Sequence, residues 1–207
     1  MGVPAAAVLM ASRRMPYYSG KMTHMTDAVT ESILQHASVS RVREALRQAK
    51  LPDSITVMPE ATHTAKAAAA ALGCDVAEIA KSIIFRAEDG RHVLVITSGE
   101  NRVDDKKVAA VIGQALSKAD ANFVRAQTGY VIGGVPPIAH EKMPIALMDE
   151  DLLQYANVWP AAGHPNSMFR IAPRALADVT ARELLILPRH QVEFCTRGHH
   201  ARTRKNH

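Results

Sequence analysis

Glycines, prolines and one lysine are the residues of this chain whose types and spacing could do chemistry. The run Thr128-Gly129-Tyr130-Val131-Ile132-Gly133-Gly134-Val135-Pro136-Pro137 sets two adjacent glycines ahead of two prolines. Glycine opens backbone conformations closed to other residues, and proline fixes its own φ while removing a donor. The run therefore predicts a rigid turn of bare main chain, whose N–H and C=O groups can approach a ligand closely. A plain turn between strands is the commoner product of such clusters. Lys81, within Ile79-Ala80-Lys81-Ser82-Ile83-Ile84-Phe85, offers a compact positive charge suited to a phosphate or a ribose. As a proton-transfer base it would need a strongly depressed pKa. A lysine at a helix end is, by itself, usually solvated. Ser98, Gly99 and Asn101 form a junction between a strand and a capped helix, where main-chain N–H groups can face an anion. This is not a phosphate loop of the Gly-x-x-x-x-Gly-Lys type. Gly163-His164-Pro165 is a further glycine-bearing loop that could aim an imidazole at a substrate, although a lone histidine is more often structural.

The elements that must position these residues follow from periodicity. Val42, Ala45, Leu46 and Ala49 make an apolar stripe, predicting a helix over Arg41–Ala49 that Ser40 caps and Pro52 ends. Ile55–Val57 alternates as a short strand, and Ala65–Leu72 is an alanine-rich helix stopped by Gly73. Asp75 and Glu78 have capping-box spacing for a helix through Ala80, which puts Lys81 at a handover from helix to strand. Ser82–Phe85 and His92–Thr97 favour strands around an Asp89-Gly90 hairpin turn. Asp104 caps a helix that buries Val108, Val111 and Ile112 and closes at Gly113; Lys107 reads as part of its solvated face. Further strands are expected at Asn122–Arg125, Tyr130–Ile132, Ile145–Met148 and Phe169–Ala172, with short helices at Glu150–Tyr155 and Pro173–Val179. Strands in the middle, flanked by helices without a βαβ rhythm, predict an α+β domain around a mixed or antiparallel sheet.

Charge lies at the ends of the chain rather than in its body. The formal net charge is +5, yet residues 1–24 and 195–207 carry seven Lys and Arg and no acid. Residues 25–194 then hold 18 bases against 20 acids. A near-neutral body can hold one end of a nucleic acid but is not built to wrap a long one, which argues against a DNA-binding role. No apolar run approaches the ~18 residues of a membrane span. Two distant cysteines, Cys74 and Cys195, make no disulfide scaffold, so a reducing cytoplasm is expected. Residues 1–24 read as an extension rather than a signal peptide, with Met22 or Met25 as alternative starts. Residues 190–207 read as a basic, aperiodic tail. Cys195, His199 and His200 lack a fourth ligand at zinc spacing, so no metal site and no cofactor is expected.

The three ordered motifs around Lys81, around Ser98-Gly99-Glu100-Asn101-Arg102-Val103-Asp104 and around Gly133–Pro137 resemble those of the YbaK/prolyl-tRNA-editing family. These are small deacylases that hydrolyse amino acids wrongly attached to tRNA. The resemblance spans residues 38–187, leaving 1–37 as an N-terminal extension and 188–207 as a C-terminal tail. It implies a curled sheet with peripheral helices. It also implies Lys81, Gly133 and Pro137 as catalytic positions, with Ser98, Asn101, Thr128, Tyr130, Gly134, Gly163 and His164 around the substrate. The implied partner is the 3′ end of an aminoacyl-tRNA, most naturally tRNA-Pro, in the company of a prolyl-tRNA synthetase. Gly163-His164-Pro165-Asn166-Ser167-Met168-Phe169 departs from the Gly-Lys-Arg-Gly-like loop of the cysteine-clearing members, which leaves the amino acid open. Two other readings stand beside the deacylase: a non-catalytic module that binds aminoacyl-tRNA next to a synthetase, and a general small-molecule esterase.

Overall fold

The computed structural model of the protein describes residues 27–58, 64–180, 184–188 and 192–194. Its centre is the hairpin of β2 (Ile79–Ala87) and β3 (His92–Ser98), paired antiparallel from Ala80↔Ser98 to Arg86↔His92. β5 (Leu116–Lys118) lies antiparallel outside β2, and β7 (Trp159–Pro160) pairs parallel with the first two residues of β2. On the far side, β6 (Ile145–Asp149) and β9 (Leu184–Leu187) extend the sheet in parallel. The result is a six-stranded mixed sheet in an α+β fold. The mixed sheet and outer helices agree with expectation; no sheet is strongly curled.

Every residue of β3 is buried, because both faces of the sheet are covered. Leu94 and Ile96 point into the larger core, where Val42 and Leu46 of α2 (Ala37–Gln48), Val124 of α5 (Ala121–Thr128) and Leu176 of α6 (Pro173–Thr180) meet Tyr130 and Phe169. Val93 and Val95 point to the other face, against Val108 of α4 (Asp105–Ile112), Leu147 and Leu187. α3 (Ala65–Leu72) packs Ala68 and Ala69 beside Ile79 and Met168 in a third cluster. Two small ribbons complete the fold. β1 (Ile55–Val57) pairs with β8 (Ser167–Phe169), and β4 (Asn101–Val103) pairs with β10 (Val192–Phe194).

Several expectations need correction. Ser40 lies inside α2, which starts at Ala37 because His36 Nδ1 accepts from Ser38 N–H and caps it earlier. Asn122–Arg125 is helical: Asp120 caps α5 through Phe123 N–H, Gly129 ends it at φ 75°, and these stops outweigh the strand preference of Phe123 and Val124. Tyr130–Ile132 is a turn closed by Gly134 N–H on the Val131 carbonyl. The strand expected at Phe169–Ala172 falls at Ser167–Phe169, followed by a single bridge between Ile171 and Val158. The turn after Asp75 is a short 3-10 helix ending at Glu78, so Lys81 is the third residue of a strand rather than a junction residue. Glu150–Gln154 is likewise 3-10. Two elements lie beyond residues 38–187: α1 (Asp27–Leu34) and β10, the latter within the stretch read as a tail. Residues 1–24 and the trio Cys195, His199 and His200 lie outside the described residues.

Candidate functional site

Along the outer edge of β2 there is a gap. β7 covers Ile79 and Ala80, β5 covers Phe85–Ala87, and among the described residues no strand pairs there with Lys81–Ile84. A cleft of about 330 Å3 opens at this gap, within the size range of small-molecule sites. One side is Ile79–Ile83 of β2; another is the start of α3, through Thr64, Ala65 and Ala68. Ile132, Gly133 and Val135 of the glycine–proline loop line it, together with Ala161, Pro165, Ser167 and Met168.

Lys81 is held from behind. Its Nζ donates to the carbonyls of Asn101, at 2.6 Å, and Gly99, at 3.2 Å, both in the turn between β3 and β4. That turn is anchored by Asp149, fully buried at the end of β6. Its Oδ2 accepts from Thr97 Oγ1, Ser98 N–H and Asn101 Nδ2 at 3.1, 3.0 and 2.8 Å. Its Oδ1 accepts from Asp151 N–H, and Asp151 Oδ2 accepts from Asn101 Nδ2 at 2.9 Å. Gly99 is required at its position: a Cβ there would come within 2.0 Å of the Val76 carbonyl oxygen. Ser82 follows Lys81 on the cleft wall, and its buried Oγ has no hydrogen-bond partner among the described residues.

The glycine–proline loop is a stitched Ω-like segment. Glu141 N–H to Thr128 O and Lys142 N–H to Gln127 O tie its neck, at 3.2 and 3.1 Å. Inside, Tyr130 OH donates to Ala139 O, and the imidazole of His140 sits 2.7 Å from Pro136 O. Arg41 of α2 braces the base: its Nη2 donates to Gly129 O at 2.6 Å, and its guanidinium lies 4.3 Å over the Tyr130 ring. Gly133 takes φ 90°, a conformation natural only to glycine. Gly134 is packed so closely on His164 that a Cβ would sit 2.7 Å from its carbonyl carbon. Gly133 and Val135 both line the cleft, and among the described residues no hydrogen bond from either N–H is found.

The sequence-selected residues thus divide. Lys81 and Gly133 line the cleft. Asn101 reaches it through Lys81, whereas Ser98 is turned away, its Oγ donating to Ala77 O. Thr128 is buried with its hydroxyl on Val124 O, and Tyr130, also buried, supports the loop from inside. Burial pushes the Tyr130 phenol up, so it stays protonated. Gly134 and Pro137 are buried parts of the loop. Gly163, at φ 95°, lies against Ser38 O. His164 Nδ1 accepts from Asn166 N–H, and its ring meets His36 edge-on at 5.6 Å. Burial, then the nearby His36, lowers its pKa, so the ring is neutral at pH 7 and presents an Nε2–H. Asp149, Ser82, Arg41, His92 and His140 were not singled out from the sequence. Only Ser82, adjacent to Lys81, carried a signal there.

The chain is similar to known proteins over most of its length. The family profile described as "Aminoacyl-tRNA editing domain" matches residues 59–179. The Bacillus subtilis protein YwhH, of uncharacterised function, is 30% identical over 149 residues, 72% of this chain and 95% of its own. EbsC of Enterococcus faecalis, whose name makes it a candidate Cys-tRNA(Pro)/Cys-tRNA(Cys) deacylase, is 26% identical over 118 residues, 56% of this chain and 72% of its own. Among solved structures, a candidate trans-editing enzyme for prolyl tRNA synthetase superposes with a TM-score of 0.68 at 39% identity, covering 73% of this chain and 97% of that one. The hypothetical protein APE2540 superposes with a TM-score of 0.65 at 29% identity, covering 70% and 97%.

Proposed function

This chain belongs to the aminoacyl-tRNA editing domain family, and from that membership we propose that it hydrolyses the ester joining a small non-cognate amino acid to the 3′ end of a tRNA. The observation that carries this reading is the juxtaposition, in one cleft, of the Lys81 cation with the main-chain donors of Gly133 and Val135. A phosphate or ribose of the terminal nucleotide lies against Lys81, a contact made strong by its charge. The ester carbonyl lies against the loop, where N–H groups that need no reorganisation stabilise the charge that develops on its oxygen. Pro136 and Pro137 contribute stiffness rather than donors.

An aminoacyl ester is already activated, so orienting a water and polarising the carbonyl are sufficient chemistry. The ribose hydroxyl next to the ester is the group placed to orient that water, and Ser82 Oγ is the side-chain hydroxyl available on the cleft wall. Selectivity comes from size: Ala65, Ala68, Ile83 and Met168 leave room for a small residue. One methylene is worth only about 1–3 kcal/mol of discrimination, which is why synthetases benefit from a separate deacylase. tRNA-Pro is the first candidate tRNA and a prolyl-tRNA synthetase the candidate partner, working in the cytoplasm.

A multiple-turnover assay on a panel of tRNA-Pro species charged with Ala, Ser, Cys or Pro, beside unrelated esters, tests this. The expected result is many turnovers on one or more small amino acids, little on Pro and none on the unrelated esters. Stoichiometric protection of the charged tRNA would identify a binding module, and cleavage of unrelated esters a general esterase. Replacing the neighbouring ribose hydroxyl with hydrogen slows cleavage far more than it weakens binding.

A further inference from the structure

Two imidazoles, buried His92 and half-buried His140, stand behind the glycine–proline loop, and no step of the proposed hydrolysis uses them. His92, the first residue of β3 and only 1% exposed, stacks on His140 with ring centroids 5.2 Å apart. His92 Nε2 lies 3.0 Å from His140 Nδ1, and His140 Nε2 lies 2.7 Å from Pro136 O. The positions of the hydrogens follow from the last acceptor. A carbonyl oxygen can only accept, so His140 Nε2 carries a hydrogen. In a neutral ring His140 Nδ1 is then an acceptor, and His92 Nε2 must donate to it. His92 Nδ1 is left as a bare lone pair, and it is buried with no hydrogen-bond partner among the described residues.

We propose that His140, with its tautomer fixed by His92, is the positioning residue of the Gly133–Pro137 loop, a one-way hydrogen-bond chain that clamps the Pro136 carbonyl and thereby aims Gly133 N–H and Val135 N–H into the cleft. The inference rests on reading that loop as the wall that holds the ester. The clamp acts with a second local constraint. Ala139 has φ 60°, costly for a residue with a Cβ, and this kink turns the chain so that His140 reaches back to Pro136.

The same arithmetic makes the clamp insensitive to pH in the physiological range. A proton added to the pair, on either ring, ends with a hydrogen on His92 Nδ1, where there is no acceptor. The Pro136 carbonyl favours a positive charge on His140, but the cations around the pair oppose one. Arg41 acts on His140 and Lys142 on His92, Tyr130 lies 6.1 Å from His140, and Arg86 stands opposite His92 across the hairpin. Burial lowers both imidazoles, joined by His140 and Lys142 at His92; at His140 burial outweighs the Pro136 carbonyl, which acts upward, and Arg41 adds to the lowering.

Ring-nitrogen NMR of the intact protein tests the clamp without any substrate. Both rings should be Nε2–H tautomers and should show no titration between pH 8 and 5. An Nδ1–H tautomer, or a midpoint near that of free histidine, would overturn the proposal. His140→Phe keeps a ring of similar volume but removes both hydrogen bonds, whereas His140→Gln retains a donor toward Pro136 O. In His140→Phe, amide exchange at Gly133 and Val135 should accelerate about 10-fold or more while that of α2 and β3 is unchanged. On whichever charged tRNA the wild type hydrolyses, kcat should fall about 10-fold or more with KM within about 3-fold, and Gln should restore much of it. Equal exchange in wild type and Phe variant, or identical kinetics of Phe and Gln, would contradict a positioning role. If the Phe variant does not fold, the tautomers and titration of the wild type decide. If the wild type hydrolyses no charged tRNA, the functional reading fails, and the NMR and exchange results still decide the clamp.

Discussion

The turn that holds Lys81 and the loop that holds Gly133 border one cleft, yet they are built from opposite materials. Asp149 gathers Thr97, Ser98, Asn101 and Asp151 onto one buried carboxylate, and the turn it fixes presents two carbonyls to the Lys81 ammonium. The Gly133–Pro137 segment is held mainly by neutral groups, a phenol, two imidazoles, two prolines and main-chain bonds, with the Arg41 cation bracing only the base of the loop at Gly129 O. A charged anchor is strong but fails badly when one member is lost, since each stranded donor is buried. Neutral anchors are individually weaker and share the load. The placement suits the work of each wall. A cation needs fixed acceptors around it, whereas main-chain donors meant for a developing oxyanion need stiffness without competing charge.

The largest stability effect separating the two should come from Asp149→Ala. It leaves Thr97 Oγ1, Ser98 N–H, Asn101 Nδ2 and Asp151 N–H without their common acceptor. Urea denaturation should show a loss of at least about 3 kcal/mol. A loss below about 1 kcal/mol would mean that the turn is held by other means, and the contrast would dissolve.

Acid should act on the neutral side next. The His92 pKa is lowered from 6.5 to about 4, by burial first and then by His140 and Lys142. The unfolded chain therefore binds the proton more readily than the native one. This contribution is fully present above pH 6.5 and is lost as pH falls toward 4. Between pH 7 and 5 it amounts to about 2 kcal/mol, at 1.36 kcal/mol per pKa unit. Comparing wild type with His92→Phe across that range isolates it; parallel pH profiles of the two proteins would contradict the buried neutral pair.

Ala139→Gly should have the smallest effect. It relieves the cost of φ 60° but gives the unfolded chain more freedom, so the net change in stability should stay within about 1 kcal/mol. Its effect should appear instead as faster amide exchange in the loop. A large destabilisation would show that the Ala139 methyl, rather than the kink, matters.

How much of this was legible in the sequence differs between the same two regions. Caps and stops wrote themselves plainly: Gly73 ends α3, and Asp104 and Gly113 bound α4, where sequence reading placed them. The hairpin at Asp89-Gly90 and the strands on either side were equally plain. Asn122–Arg125 reads as a strand because Phe123 and Val124 favour strands, whereas the Asp120 cap and the Gly129 stop that make α5 a helix lie on either side of that segment. The paired strands β4, β5, β9 and β10 are short, three or four residues each, so alternation has no length over which to show itself. At the site, glycines and prolines betray their backbone by composition. Asp149 does not, because nothing local distinguishes a buried carboxylate from a helix cap, and its partners Thr97, Ser98 and Asn101 come from 48 to 52 positions away. The His92 and His140 pair is hidden for the same reason, being 48 positions apart.

Single-turnover deacylation by Lys81→Ala, beside its melting temperature, is the most direct test of the cleft as the reacting site. Lys81 Nζ donates to the main-chain carbonyls of Gly99 and Asn101. The cleavage rate should fall about 100-fold or more, the size expected for a charge-assisted contact in a transition state, with the melting temperature within a few degrees. A variant that melts like the wild type and cleaves within about 3-fold of its rate would contradict the account, and would move the chemistry away from this cleft.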